Sequence, residues 1–137
     1  MKVYIAGKLG SKSEKEFLEQ ITLICEDLGF ETFLPHRDVG LAETIDDVER
    51  IFKGDIQEGF KDIDLVIASL EGLHVGAGTS WELGYAYAKN IPCIGIKTDE
   101  SIEDGLEYLS AILIASMDFV KSLDDLKKKL KYFQNNN

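Results

Sequence analysis

Strand-like and helix-like segments alternate along the whole of this 137-residue chain. Five short apolar runs fit β-strands, at residues 2–6, 30–34, 65–70, 93–96 and 117–120. The run at residues 65–70 is almost entirely apolar, which is typical of a central parallel strand covered on both faces. Because helical crossovers join parallel strands, this alternation predicts an α/β fold with a parallel sheet.

Five amphipathic segments are predicted as helices, at residues 11–28, 45–62, 79–90, 102–113 and 123–133. Ser11 and Glu14 have the spacing of a capping box at the start of the first helix. Gly54 and Gly59 weaken the second helix and leave open a break within it. We expect a single-domain, flavodoxin-like three-layer sandwich with strand order 2-1-3-4-5, spanning residues 1–134, and a frayed tail at residues 135–137.

The composition narrows the functional classes. With 25 acidic and 15 basic residues, the formal net charge of −10 would repel a nucleic-acid backbone. The basic cluster at residues 127–131 lies beside Asp124 and Asp125 and fits a solvated helix face.

No apolar run approaches the roughly 20 residues of a membrane helix, and no cleavable apolar segment precedes the first strand. Cys25 and Cys93 lie in apolar surroundings, so we expect reduced core thiols in a soluble, cytoplasmic protein.

The expected switch point of the sheet lies between strands one and three, and the loops that follow both strands contain glycines. Residues 76–88 read Gly-Ala-Gly-Thr-Ser-Trp-Glu-Leu-Gly-Tyr-Ala-Tyr-Ala, a glycine-rich loop that runs into a helix. Glu82 is predicted in the first turn of that helix, where a carboxylate can act as a nucleophile. The structural alternative is a capping box of Thr79 and Glu82, in which the glutamate only accepts from a backbone amide.

Both glycine-containing loops can accommodate a ligand. The loop after the third strand is richer in glycine than a helix cap requires, and such loops let a ligand approach the backbone closely. Its glycines are Gly72, Gly76 and Gly78. The loop after the first strand lies at a helix N-terminus, where free amides can hold an anion such as phosphate. The residues that would contribute are Gly7, Lys8, Gly10 and Ser11, and an ordinary turn with an N-cap remains the alternative.

Other candidate residues carry weaker signals. Asp55 stands among the apolar spacings of the second helix and, taken alone, is interpreted as a solvent-facing carboxylate. Tyr4 lies in the first strand before the switch-point loop, where a phenol either packs in the core or reaches a ligand. His36 and His74 lack cysteine or acidic partners at ligand spacing, so no metal site is predicted.

Several segments occur in the same order in one known family. They are Tyr4-Ile5-Ala6-Gly7, Gly29-Phe30 followed by Leu34-Pro35-His36-Arg37-Asp38, Asp55, Asp64-Leu65-Val66-Ile67-Ala68, and Gly78-Thr79-Ser80-Trp81-Glu82-Leu83-Gly84-Tyr85-Ala86. By these segments the chain resembles the nucleoside 2-deoxyribosyltransferase family, which includes the 2′-deoxynucleoside 5′-monophosphate N-glycosidases. The resemblance covers residues 3 to about 115.

The resemblance implies a flavodoxin-like fold and roles for three residues. Glu82 matches the family's catalytic glutamate, which would attack the anomeric carbon of a deoxyribosyl group and form a covalent glycosyl-enzyme intermediate. Asp55 matches the carboxylate that helps to protonate or position the leaving base, and Tyr4 matches the tyrosine that orients the nucleophile. Retaining glycosyl transfer uses one carboxylate as nucleophile and a second group as acid and then base, and it requires no cofactor or metal.

Members of this family differ in what accepts the sugar. Transferases pass it to a second base. Many of them carry an aspartate six residues before the catalytic glutamate, and this aspartate contacts the base. The nucleotide hydrolases pass it to water and hold a 5′-phosphate. Gly76 occupies the aspartate position here, which favours hydrolysis. Ser110-Ala111-Ile112 is similar to a stretch with which the hydrolases contact the phosphate of the neighbouring subunit's ligand.

Three functions follow, in order of preference. The first is hydrolysis of a 2′-deoxynucleoside 5′-monophosphate to a free base and deoxyribose 5-phosphate, by a homodimer whose site is completed by the neighbouring subunit. The second is base exchange between unphosphorylated deoxynucleosides. The third, from another class, is a nucleotide-binding module that keeps the crevice without the reaction.

Overall fold

A five-stranded parallel sheet forms the centre of the protein in a computed structural model, which describes residues 1–136. The strands are β1 (Lys2–Ala6), β2 (Glu31–Phe33), β3 (Leu65–Ser69), β4 (Cys93–Ile96) and β5 (Asp118–Val120). Their order is β2-β1-β3-β4-β5, and every neighbouring pair is parallel. The flavodoxin-like fold and its strand order are therefore confirmed, with the switch point between β1 and β3.

Seven α-helices connect and cover these strands. They are α1 (Lys12–Asp27), α2 (Pro35–Asp38), α3 (Val48–Phe52), α4 (Ala77–Ala88), α5 (Leu106–Leu109), α6 (Ala111–Ser116) and α7 (Leu123–Asn135), counted over residues 1–136. Helices α1 and α7 pack on one face of the sheet, whereas α4, α5 and α6 pack on the other.

Alternate residues of β1 enter opposite hydrophobic cores. Val3 and Ile5 pack with α1 and α7, whereas Tyr4 and Ala6 face the core that contains α4. This separation follows from the two-residue period of a strand, whose successive side chains point to opposite faces. Tyr4 is therefore directed into the layer that also contains the helix of Glu82.

The region predicted as one helix at residues 45–62 is broken. It consists of a 3₁₀ turn at Ile45–Asp47, then α3, then a π-helical turn at Lys53–Glu58. Its two glycines lie where the segment packs closely against the side chains of Val39 and Phe33. A Cβ on Gly54 would lie 2.7 Å from Cγ1 of Val39, and a Cβ on Gly59 would lie 2.6 Å from the ring of Phe33.

Three other helices differ from the expected secondary structure. The helix expected at residues 102–113 is divided at Ser110, whose φ of 72° does not continue a helix, into α5 and α6. Residues Pro35–Asp38 form a one-turn helix that the sequence did not indicate. Helix α7 includes Asn135 of the expected tail, and Asn137 lies outside the described residues.

Both cysteines are buried and neither forms a disulfide, as expected. None of the helices in the described part of the chain combines the length and the apolar character that crossing a bilayer requires.

Replacing Gly95 by alanine should destabilise the fold. A Cβ at this position of β4 would lie 2.8 Å from the ring of Phe119 and 2.9 Å from Cδ1 of Leu70. Overpacking of this kind is expected to lower the free energy of unfolding by about 1–3 kcal/mol, measured by urea denaturation. Gly78→Ala is the matched control, because nothing lies within 4 Å of its added Cβ. Equal effects of the two substitutions would contradict this packing argument.

Candidate active site

A cavity of about 740 Å³ opens at the carboxyl ends of β1 and β3, at the switch point of the sheet. Its walls include the loops that follow these two strands, α3, the π-helical turn and the start of α4. The charged side chains on these walls are Lys8, Glu14, Asp55 and Glu82. Open α/β sheets bind ligands in crevices of this kind, so the cavity is the candidate site.

Glu82 reaches this cavity from the second turn of α4. The helix begins at Ala77 with Gly76 as its N-cap, two residues earlier than expected, so the prediction of a first-turn position is wrong. Thr79 is a buried residue within the first turn of α4, not its N-cap, so the capping-box alternative is also wrong. Instead, the Tyr4 hydroxyl donates a hydrogen bond to Oε2 of Glu82.

Tyr4 holds this carboxylate from a rigid position. The side chain is fully buried, and its ring stacks on Phe60 at a centroid distance of 4.2 Å and on Phe33 at 5.2 Å. Burial, and then the neighbouring Glu82 carboxylate, raise the pKa of the Tyr4 phenol well above its usual range. The phenol therefore stays protonated and acts as a hydrogen-bond donor that fixes one oxygen of Glu82.

Asp55 lies in the π-helical turn and lines the same cavity. Its Oδ1 is buried without a hydrogen-bond partner, which corrects the interpretation of Asp55 as a solvent-facing residue. Burial raises the pKa of Asp55 to about 6, against an opposing contribution from Arg50. A buried polar atom without a partner is costly, and π-helical turns often occur at functional sites. Asp55 is therefore a group that a ligand would satisfy.

The two carboxyl groups hold protons near neutral pH. Burial raises the pKa of Glu82 to about 7; the Tyr4 hydrogen bond opposes this shift, and the Asp55 charge adds to it. Because the two groups interact, protons leave the pair in steps, and a form with one proton is populated between the two values. In this form the higher pKa places the proton on Glu82, so a nucleophilic Glu82 with Asp55 as general acid requires that substrate contacts move the proton to Asp55.

An aromatic pair at the cavity wall was not identified from the sequence. Phe52 and Trp81 meet edge to face at a centroid distance of 5.7 Å, and each is about half exposed, at 47% and 50%. Such rings offer an apolar surface for a flat heterocycle. Two signals were available: Trp81 directly precedes Glu82, and Phe52 precedes Asp55 by three residues, a spacing that places two side chains on one helix face.

The two loops deliver most of the expected ligand-binding residues to the cavity. Those that line it are Gly7, Lys8, Gly10, Gly76 and Gly78. Ser11 is not among the lining residues, because its Oγ accepts a hydrogen bond from the backbone amide of Glu14 and caps α1. The ordinary N-cap interpretation therefore describes Ser11.

Ser110 does not reach Glu82 within one chain. It is exposed and lies beside a second cavity of about 510 Å³, whose walls come from α4 and α6. Its Oγ accepts a hydrogen bond from the amide of Ile112 at the start of α6. A role of Ser110 at a ligand in the cavity of Glu82 would therefore require another copy of the chain.

Neither histidine belongs to a cluster of metal-ligating residues. Nε2 of His36 lies 3.0 Å from Oε1 of Glu19 on α1, and His74 is exposed in the loop after β3. Residues 1–136 contain no group of three or more His, Cys, Asp or Glu side chains placed to hold a metal ion.

The fold and this site define a class of α/β enzyme that carries a carboxyl pair at the switch point. A sequence profile of the nucleoside 2-deoxyribosyltransferases matches residues 3–124, so the chain belongs to the nucleoside 2-deoxyribosyltransferase family of glycosyl-transfer enzymes. No curated protein matches the chain significantly.

Solved structures share this fold at low sequence identity. A conserved protein from Enterococcus faecalis V583 has 24% identity and a TM-score of 0.75, with 96% of this chain and 98% of that chain covered. A 2-deoxyribosyltransferase from Bacillus psychrosaccharolyticus has 21% identity and a TM-score of 0.74, over 93% and 90%. The CMP N-glycosidase BcmB from Clostridium botulinum has 21% identity and a TM-score of 0.62, over 96% and 99%.

Glu82→Gln should stabilise the protein at alkaline pH. The folded-state pKa lies above the ordinary value of 4.5, so the stability contributed by the Glu82 proton is full below 4.5 and is lost as the pH rises through about 7. Glutamine carries no charge and can still accept from Tyr4. We expect a gain on the order of 1–2 kcal/mol near pH 8 and little gain near pH 4, measured by urea unfolding. A gain of the same size at both pH values would contradict this burial argument.

Proposed function

We propose that this enzyme cleaves the N-glycosidic bond of 2′-deoxynucleoside 5′-monophosphates and releases the free base and deoxyribose 5-phosphate. The observation that carries the proposal is the Glu82 carboxyl group, which Tyr4 fixes through one oxygen and which faces a cavity that Asp55 also lines. The family relation supports the reaction class, since its name describes transfer of deoxyribosyl groups. The BcmB neighbour is a CMP N-glycosidase, so hydrolysis of a nucleotide occurs on this fold.

The proposed chemistry uses the two carboxyl groups in turn. An oxygen of ionised Glu82 forms a bond to C1′ while the bond between C1′ and the base breaks, and the base leaves with the bonding electrons and the proton of Asp55. Water then attacks C1′, releases the Glu82 carboxylate and gives a proton to Asp55. This is the double displacement of retaining glycosidases, in which one carboxyl group is the nucleophile and the other is acid and then base.

Water rather than a second base is the proposed acceptor. In the family, the aspartate that contacts the base in many transferases would occupy the position of Gly76. A Cβ on Gly76 would lie 3.0 Å from Cγ of Lys8, so a side chain at residue 76 would require the stem of Lys8 to shift slightly. With glycine at this position, the site lacks the base-contacting carboxylate, which supports water as the acceptor.

The proposed 5′-phosphate site lies on the loop after β1. Lys8 supplies a cation at the cavity wall, and Gly10 leaves the backbone accessible beside it. We propose that a homodimer completes this site with Ser110 of the second copy, because Ser110 is exposed and away from Glu82 in its own chain. The net charge of −10 favours a small-molecule substrate over nucleic acid, and we propose a cytoplasmic location.

Base exchange on unphosphorylated deoxynucleosides is the second candidate. The observation that favours it is Glu14, which lines the cavity and lies 3.6 Å from Nζ of Lys8. A carboxylate at this position opposes a phosphate, whereas a 5′-hydroxyl would not be repelled. The third function, binding without reaction, is disfavoured by two carboxyl groups whose pKa values lie near neutrality at the cavity wall.

Chromatography of released base tests the function directly. The enzyme is incubated with deoxynucleosides or with their 5′-monophosphates, each with and without a second free base. We expect base release from the monophosphates with water as acceptor. Glu82→Ala should lower kcat by at least about a thousandfold, whereas Glu58→Gln, which removes an exposed carboxylate outside the cavity, should retain activity. Base exchange restricted to nucleosides would establish the second candidate, and full activity of Glu82→Ala would refute the mechanism.

Ser110→Ala should weaken monophosphate binding if the dimer completes the site. We expect the KM for monophosphates to rise by roughly tenfold or more, because one hydrogen bond to a charged phosphate is worth about 1.5–3 kcal/mol and about 1.4 kcal/mol is a factor of ten. Ser116→Ala is the matched control, since Ser116 lines the same second cavity and its hydroxyl bonds within α6. Sedimentation should give twice the mass of one chain. A monomer with full activity would contradict the shared site.

A further inference from the structure

Glu14 lies in the space that the loop after β1 would offer to an anion. Its Oε2 lies 3.6 Å from Nζ of Lys8, and its Oε1 would lie 3.3 Å from a Cβ built on Gly10. One carboxylate oxygen therefore faces the ammonium group and the other lies over the glycine of the loop. Both Lys8 and Glu14 line the main cavity, and both also line a smaller cavity of about 140 Å³.

The side chain of Glu14 does not perform the role that its sequence position suggests. The Ser11 side chain accepts from the Glu14 amide, which is half of a capping box. In residues 1–136 the Glu14 carboxylate does not return a hydrogen bond to the Ser11 amide, because it turns towards Lys8 instead. Glu14 is thus a helix residue whose carboxylate is committed to the cavity rather than to the helix terminus.

Lys8 is held between the two loops of the site. Its Nζ would lie 3.2 Å from a Cβ on Gly72, and its Cγ would lie 3.0 Å from a Cβ on Gly76, so its side chain runs along the glycine-rich loop after β3. Among the cavity-lining residues of the described chain, Lys8 is the single cation, while Glu14, Asp55 and Glu82 are acidic. A dianionic phosphate can therefore pair with a positive charge in this cavity only if the ion pair between Lys8 and Glu14 separates.

We propose that Glu14 is a specificity-determining residue, which competes with the substrate's 5′-phosphate for the Lys8 ammonium group. The inference rests on the proposed function, because it assigns Lys8 to the 5′ end of the substrate. A phosphate binds by displacing the Glu14 carboxylate from Lys8, and the carboxylate returns when the phosphorylated product leaves. Glu14 thereby lowers the affinity for the 5′-phosphate and favours product release.

Binding of deoxyribose 5-phosphate, measured by calorimetry, tests the competition without any turnover. Glu14→Gln removes the competing charge and keeps the backbone amide that Ser11 caps. We expect roughly three- to tenfold tighter binding, as for loss of one partly exposed charge beside the ligand. Glu16→Gln is the matched control: Glu16 lies on the same helix, is exposed, and lies outside the cavity, so binding should equal that of wild type. Unchanged or weaker binding to Glu14→Gln would overturn the proposal.

A double-mutant cycle tests whether Glu14 acts through Lys8. Lys8→Met should weaken binding of deoxyribose 5-phosphate, and adding Glu14→Gln to it should restore little, because the contested cation is gone. An equal gain in both backgrounds would overturn the route through Lys8. In turnover, Glu14→Gln should raise the ratio of kcat/KM for monophosphates to that for nucleosides through KM. If binding tightens as expected but no variant releases base, the proposed function fails, whereas the competition between Glu14 and a phosphate for Lys8 stands.

Discussion

The hydrogen bond between Tyr4 and Glu82 is the contact on which the candidate site depends. It joins residues 78 positions apart, one on a central strand and one on the helix after β3. The contact requires that β1 and β3 be neighbours and that β1 keep its register, since a shift of one residue would turn the phenol to the opposite face. The geometry around Glu82 is therefore a consequence of the sheet itself, and the stacking of Tyr4 on Phe60 makes it rigid.

Burial has opposite effects on stability and on chemistry at this site. Removing two carboxyl groups from water raises the pKa of both Asp55 and Glu82 and makes their ionised forms costly. The same shifts bring proton exchange into the neutral range, which proton-transfer chemistry requires. The hydrogen bond from Tyr4 offsets part of this cost for Glu82, because it lowers the pKa of that carboxyl group. Sites that retain such buried charges commonly trade stability for activity.

The sequence predicts the architecture well because hydrophobic periodicity and glycine punctuation are local signals. These signals predict the parallel sheet and the two glycine-containing loops near Gly7 and Gly76. The strand order and the switch point come from the flavodoxin-like fold that this alternation favours, and both are confirmed. The start of α4 was not predictable, because this helix begins after Gly76 without a side-chain cap. The N-cap alternative for Ser11 follows from its spacing to Glu14 and is the one observed. The orientation of Glu14 was equally hidden: its spacing fits a capping box, and only the position of Lys8 turns its carboxylate elsewhere.

Because Lys53–Glu58 form a π-helical turn, the number of residues in this segment determines where Asp55 lies around the helix axis. A π-helical turn accommodates one more residue than an α-helical turn, and each α-helical residue rotates the chain by about 100°. Loss of a single residue there would restore regular helix and swing Asp55 around the helix axis, away from the cavity, with its chemical identity intact. Among relatives, therefore, an alignment gap in this segment would mark a change in the site that a comparison of residue types alone would overlook.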